Sequence, residues 1–424
     1  MKYVIAVIAV LLVIASSIHA QQVEKLRTLI SETMTNNPEI SAEVYKMWSA
    51  QERIAQASSL DDPELIFKLM EIPGASFNQA MYANIELMQM IRFPTKLSTQ
   101  RAISETRAEH AHHDHIEKVN DIQMRLKRVF AMLRYNRTAL EINRANQRLL
   151  GQVVAAATTQ YSVGKASQQD VLKSTIELAK LKAAEETVKQ EITGAESMMH
   201  AILNRPSQIP IGPLEEVAPK RLLVGVDDLV QFAFVNRPML VHDSLNVFES
   251  GLQLDLMKQE YLPDLRLSLE YVRMPVLKEN RWSMSAGITL PFAPWTLGKA
   301  SARVEEATMD RSMLQSTLEN SKRMVESDIR SGYAKAKALQ AQMETYDKTI
   351  LPQTDQSLKT LLQEYQTNQN SFLMLLDSYR MYQEAKMDYA MLRMQYDQAI
   401  ASLENSIGVT DINSLSIERR EQRP

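Results

Sequence analysis

The sequence predicts an α+β membrane protein: long coiled-coil helices folded back as hairpins, joined to short strands built for a transmembrane β-barrel, the whole set present twice. Three observations predict it. The stretch from Thr95 to Val163 has one glycine and no proline and carries a 3-4 coiled-coil spacing; strict alternation of apolar and polar side chains marks short segments in both halves; and the second half repeats the order of the first. Composition agrees, because 11 glycines in 424 residues leave few turns and favour long uninterrupted elements. A net charge of -3 gives no electrostatic reason to expect a nucleic-acid partner.

Taken in chain order, residues 1–20 read as a signal peptide. Lys2 precedes an apolar run from Tyr3 to Ala15, and the small Ala20 stands where a signal peptidase would cut, so the mature chain begins near Gln21. A single-pass anchor is the other reading of that run, which is short for the roughly 20 residues a span needs. The absence of cysteine excludes disulfides, thiolate metal sites, a Cys nucleophile and a lipidated N-terminal Cys. Any membrane attachment must then come from the fold.

The first repeat covers residues 21–204. It opens on a helix around "LISETMTNNPEI" (Leu29 to Ile40) and continues into strands at 64–72 and 81–91. In the second of these, Ala83, Ile85 and Leu87 alternate with Tyr82, Asn84 and Glu86. Thr95 to Val163 follows as one helix, with Val119, Ile122, Leu126, Val129 and Leu133 on a coiled-coil seam. Such a rod spans roughly 100 Å at about 1.5 Å per residue. After Val163-Gly164-Lys165 the seam resumes through Leu178, Leu181, Val188, Ile192, Ala195, Met199 and Ile202, with Glu185 the one polar intruder. Two such helices make an antiparallel hairpin with its tip near 163–168.

A Pro-rich linker at 205–228 leads to the second repeat, 229–408, in which "LVQFAFVNRPML" (Leu229 to Leu240) answers "LISETMTNNPEI". Its strands, 264–272 and 281–291, alternate cleanly: Leu265, Leu267, Leu269 and Tyr271 against Asp264, Arg266, Ser268 and Glu270, and Trp282, Met284, Ala286, Ile288 and Leu290 against Ser283, Ser285, Gly287 and Thr289. A second hairpin has its tip near 366–371, and Pro352 must bend or break its rising helix. A polar tail, 409–424, closes the chain. Four strands cannot enclose water, since small closed barrels need about eight, and lipid tolerates no unpaired edge. Several chains must therefore share one barrel; three would give about 12 strands. Half-buried hairpins of a soluble domain are the alternative that alternation leaves open.

These residues resemble the TolC family of outer-membrane efflux channels. The resemblance rests on the "NPE" and "RPM" helix starts, the twofold helix-strand-strand-helix order and the tip "YSVGKASQQDVL". "LMQMIRFPTKLSTQRA" and "ITLPFAPWTLGKASARVEEA" are similar to the heavy-metal branch, although Thr95 replaces its usual Gly and Arg92 a frequent Pro. The resemblance implies a homotrimer in the outer membrane, with a barrel in lipid and a periplasmic α-barrel that docks through its tips onto an adaptor protein bound to an inner-membrane pump. It implies neither a catalytic residue nor a cofactor.

It also implies sites. The tip residues Val163, Gly164 and Lys165, with Thr367, Asn368 and Gln369 in the second copy, would meet the adaptor; Lys165 stands where the family has Leu, which favours an acidic or polar partner. Asp170 and Asp377 would form carboxylate rings at the entrance, with Met374 aligned to Asp170. Asp170 is equally suited to a helix N-terminus. From spacing alone, His110, His112, His113 and His115, with Asp114, could offer ligands to a borderline divalent ion, or form a solvated helix face. Heavy-metal cations are the expected cargo. Export of drugs or other small molecules and type I protein secretion are alternatives within the architecture, and a periplasmic coiled-coil adaptor or structural rod is the alternative outside it.

Overall fold

The computed structural model describes residues 23–70, 82–274, 279–291, 293–367 and 369–412. The expected signal peptide lies outside the described residues, as do Asn368 and the tail beyond 412. The chain forms α1 (Leu26–Asn36), α2 (Pro38–Ala57), β1 (Glu64–Met70), β2 (Tyr82–Ile91), α3 (Pro94–Ser162) and α4 (Gln168–Leu203). It continues with α5 (Val226–Asn236), α6 (Pro238–Gln259), β3 (Leu265–Met274), β4 (Glu279–Ile288), α7 (Leu297–Thr345), a π-helical turn (Tyr346–Ile350), α8 (Leu351–Gln366) and α9 (Phe372–Ile407). These elements fall into two compact units. A hairpin unit holds the described residues up to Ser41, Glu117–Arg237 and those from Met324 onward; a sheet unit holds Ala42–Ile116 and Pro238–Arg323.

In the sheet unit the four strands make one antiparallel sheet in the order β1-β2-β3-β4. The last two differ from their expected bounds. β3 runs to Met274 rather than 272, while β4 starts at Glu279 rather than 281 and stops at Ile288 rather than 291. Beyond Ile288 a single pairing survives, Thr289 N–H to the Asp264 carbonyl at 2.9 Å. Pro291 has no N–H with which to continue a ladder. The "FPTKL" stretch proves to be a fastening: Lys96, buried, donates to Asp264 Oδ1 at 2.9 Å and to the Leu262 carbonyl at 2.8 Å, and Phe93 N–H donates to the same carboxylate oxygen. The start of α3 is thereby tied to the start of β3.

In the hairpin unit α3 and α4 form one helical hairpin, and α8 and α9 close another. Ile122, Leu126 and Leu133 of the expected seam are buried, as are Leu181, Ala195 and Met199 from the returning helix. The two hairpins share a core in which Leu150, Val153, Ala157 and Leu181 meet Leu358, Tyr365, Phe372, Leu375, Leu376 and Tyr379. Pro352 does not break the rising helix. The chain widens to a π-turn just before it, and Leu351 N–H bonds to the carbonyl of Tyr346, five residues back. The polar intruder Glu185 is accommodated by donors from α3: Gln147 at 2.7 Å and Arg144 at 3.1 Å, with Lys189 at 3.3 Å on its own helix. These hydrogen bonds hold its carboxyl down at about 2.

A buried charge fixes the linker and the chain's end. Glu404, only 1% exposed, bonds Lys127 of α3 and Lys220 of the linker, each at 2.6 Å, and accepts the Ile412 N–H at 3.1 Å. Burial works against the Lys220 ammonium, but Glu404 and Asp411 together raise its pKa above the ordinary value. Glu404→Gln removes the counter-charge that the half-buried Lys127 and Lys220 share, although Lys220 keeps Asp411 at 2.9 Å, and should cost about 1–3 kcal/mol in denaturant unfolding of the detergent-solubilised protein. For Glu185 the folded pKa lies below the unfolded 4.5, so its contribution is complete above 4.5 and is lost as pH falls toward about 2. A Glu185→Gln variant should accordingly melt lower than the parent at pH 7, with the gap closing across that window.

Candidate functional site

Register places the strand side chains on two opposed faces. On one, Leu65, Leu87, Leu269 and Met284 form a row across all four strands, and Phe67, Ile85, Tyr271 and Trp282 form the next. Leu265 and Ile288 extend this face. Although apolar, it is open: Phe67, Trp282 and Met284 are largely exposed, the last at 76%. The other face is polar. Lys68 pairs with Glu86, Asn84 donates to Glu270 at 2.7 Å, Ser283 donates to the same carboxylate, and the Ser268 and Ser285 hydroxyls lie 2.7 Å apart. One face of the sheet thus carries hydrogen-bonded polar and charged groups while the other is exposed hydrocarbon. Its outer strands β1 and β4 have no further strand partner among the described residues. Among those residues no helix is long and apolar enough to cross a membrane.

In the hairpin unit the first tip is a capped turn. Gly164 takes φ 74°, and Lys165 N–H reaches back to the Gln160 carbonyl at 2.8 Å, which closes α3. Ser167 then opens α4 with a capping box: its Oγ accepts the Asp170 N–H at 3.3 Å, and the Asp170 carboxylate accepts the Ser167 N–H at 3.1 Å. Val163 and Lys165 are exposed. At the second tip Thr367 Oγ1 bonds the Gln363 carbonyl at 3.2 Å and Gln369 N–H the Glu364 carbonyl at 2.8 Å. Asn368 lies outside the described residues. Ser371 caps α9 through Met374 N–H, and Met374 and Asp377 point outward one turn apart. Asp170, by contrast, is half-buried and already engaged.

The histidine run belongs to the sheet unit, and its expected openness is overturned for its first member. His110 is only 8% exposed; its Nε2 lies 3.4 Å from Glu249 on α6, and its ring packs edge-on against His242 at 4.5 Å. Burial pushes the Glu249 carboxyl up, but bonds from His110, Arg107 and Gln253 outweigh it and keep the group below its ordinary value. His113 is lowered by burial and by the neighbouring imidazoles. Asp114 pairs with Lys46 of α2 at 2.8 Å and with His242 at 3.5 Å. Among the described residues no three carboxylates and imidazoles are grouped to hold a metal ion. His242 and Glu249 escaped the sequence reading because they stand on a helix more than a hundred positions away, with no spacing signal to link them.

Residues 229–409 match the model of a family described as outer membrane efflux protein. No curated protein matches the chain. Among solved structures, the outer-membrane channel OprN superposes with a TM-score of 0.78 at 15% identity, over 90% of this chain and 89% of that one. CusC, whose structures report transmembrane channel formation, gives 0.78 at 14% over 92% and 93%. The outer membrane protein VceC of Vibrio cholerae gives 0.75 at 15% over 91% and 96%. These likenesses, at such identities, establish the fold over nearly the full length of the chain.

The first tip is tested through its caps. Ser167→Ala should remove about 1 kcal/mol from the start of α4, and Gly164→Val should cost about 1–2 kcal/mol because a β-branched residue resists the left-handed conformation. Hydrogen exchange should show both losses confined to residues near the turn.

Proposed function

We propose that this chain is an outer-membrane efflux channel, a homotrimer that serves as passive exit duct for cargo delivered by an inner-membrane pump through a periplasmic adaptor, and that the cargo is heavy-metal cations. Channels of the matched family are ducts rather than enzymes, so the energy for export comes from the partner pump. The observation that carries the proposal is the four-stranded sheet with one exposed apolar face, one charged face and two open edges. In lipid those edges must be paired, and closure by three copies satisfies them. The hairpin tips then provide the adaptor contact, with exposed Lys165 suited to an acidic or polar partner residue, and Thr367, Asn368 and Gln369 are the proposed contacts of the second copy. Asp170 and Asp377 give the entrance its negative field, and Met374 shares that level of the second hairpin.

The mature protein, purified in detergent, should run as a trimer and open cation-selective pores in a planar bilayer. A monodisperse monomer that needs no detergent would overturn the reading. In the same bilayers the Asp170→Asn, Asp377→Asn double variant should lose cation preference or gain conductance; an unchanged pore would remove both residues from the entrance. Deletion of the gene should sensitise cells to zinc, cobalt, cadmium, copper or silver, and sensitivity confined to hydrophobic drugs would reassign the cargo.

A further inference from the structure

We propose that the exposed seam of α9, on which thioethers and carboxylates alternate, is a transit track for soft monovalent metal cations such as Cu(I) and Ag(I). The inference rests on the channel reading above. Met374, Asp377, Met381, Glu384, Asp388 and Met391 follow one another at spacings of 3, 4, 3, 4 and 3, which lines them along one face of the helix. Every one of the six is exposed, Met374 at 56% and Met381 at 54%. Methionine in a helix usually fills gaps in a core; these fill nothing.

Both flanks of α9 are already occupied within the chain. On one side Ser378 meets Ser357 of α8 at 3.1 Å. On the other, Arg380 pairs with Glu177 of α4, and Tyr379, Leu375 and Leu376 enter the shared core. The stripe between them is left exposed within the chain. It does not suit an apolar interface. Asp377 and Glu384 have no cation partner among the described residues, and burying them bare would be costly. Asp388 accepts only the Tyr346 hydroxyl, at 3.1 Å. Between Met374 and Met391 the basic residues lie off the stripe: Arg380 is held by Glu177, and Lys386 sits over the Tyr382 ring. Six positions without a positive charge, in a chain with 48 Lys and Arg against 51 Asp and Glu, form a face of one sign. Such a face belongs along a water-filled passage.

The chemistry then selects the ion. Carboxylates attract any cation, whereas thioethers bind soft monovalent ions well and hard ions poorly. Neighbouring steps stand about 5–6 Å apart at Cβ, so an ion leaving one ligand is within side-chain reach of the next. Weak binding repeated over many steps is what passage requires.

The test uses the full-length detergent-purified protein, silver nitrate in chloride-free buffer, and titration calorimetry. Met381→Leu, Met391→Leu, a volume-conserving pair away from the entrance residues, should weaken Ag(I) binding by about tenfold or more while potassium conductance in planar bilayers stays at the parent level. Met309→Leu, Met313→Leu, Met324→Leu, three similarly exposed methionines of α7, should leave Ag(I) binding unchanged. Equal Ag(I) binding by the seam variant and the parent, or an equal loss in the α7 variant, would overturn the track while leaving the channel intact. A parent protein that conducts no potassium would instead remove the channel and the track with it.

Discussion

One feature of the sheet unit makes demands on its surroundings: an apolar face left exposed by the single chain, bounded by two edge strands with no further strand partner among the described residues, needs a covering for both face and edges. Water would cost the exposed Phe67, Trp282 and Met284 a large area of unfavourable hydration. Lipid removes that cost, but allows no unpaired backbone N–H or C=O at β1 and β4. The opposite face makes the complementary demand, since Glu86 and Glu270 are satisfied by Lys68, Asn84 and Ser283 in a setting that only water on that side can support. A single chain meets half of these conditions. The Lys96–Asp264 fastening shows how the sheet is held to helix: one carboxylate oxygen takes both the ammonium and the Phe93 N–H, so the first turn of α3 cannot rotate away from Asp264, the residue before β3, without stranding a buried charge.

The long helices raise a different problem, which is how to keep a rod regular over many turns when its partners change along the way. α3 belongs to the sheet unit up to Ile116 and to the hairpin unit beyond it. Within the hairpin unit the seam is maintained by local solutions. Glu185 interrupts the apolar pattern and is met by two donors from the facing helix; Pro352 lacks an N–H and is met by a five-residue turn that leaves the chain helical. Neither solution breaks a rod. Where the chain turns back, Gly164 in the left-handed region ends α3, and the N-cap serines Ser167 and Ser371 begin α4 and α9.

Periodicity made most of this architecture legible. The two-residue alternation located β2, β3 and β4 within a few residues, while β1 alternates less cleanly, and the seam located the long helices, because each reports a repeating one-sided environment. Single contacts between distant positions left no such trace. Glu404 with Lys127 and Lys220, His110 with Glu249, and Lys96 with Asp264 each join residues that only the folded chain brings together. The histidine run shows the cost of reading one helix alone. Four imidazoles within six positions look like a solvated face until α6 supplies His242 and Glu249 to cover the first of them. Asp170 was readable in two ways from the outset, and the capping box shows that its helix-start role is realised whatever else the residue does.

The two hairpins are not equivalent at their tips, and the difference lies in two aligned tyrosines. Tyr365 is 6% exposed and packs edge-on against Phe372 at 5.9 Å, so the second tip is anchored to the core shared by both hairpins. Tyr161 is 48% exposed and has no such anchor; the first tip is defined by its backbone, with Gly164 and Ser167 fixing the turn and the side chains of Val163 and Lys165 left free. A turn held by backbone geometry keeps its shape when its exposed side chains change. Burial fixes the Tyr365 tip instead, and there a change at the contact is a change to the core. Residues 163 and 165 can therefore change at little cost to folding, while the second tip is constrained by the core it enters.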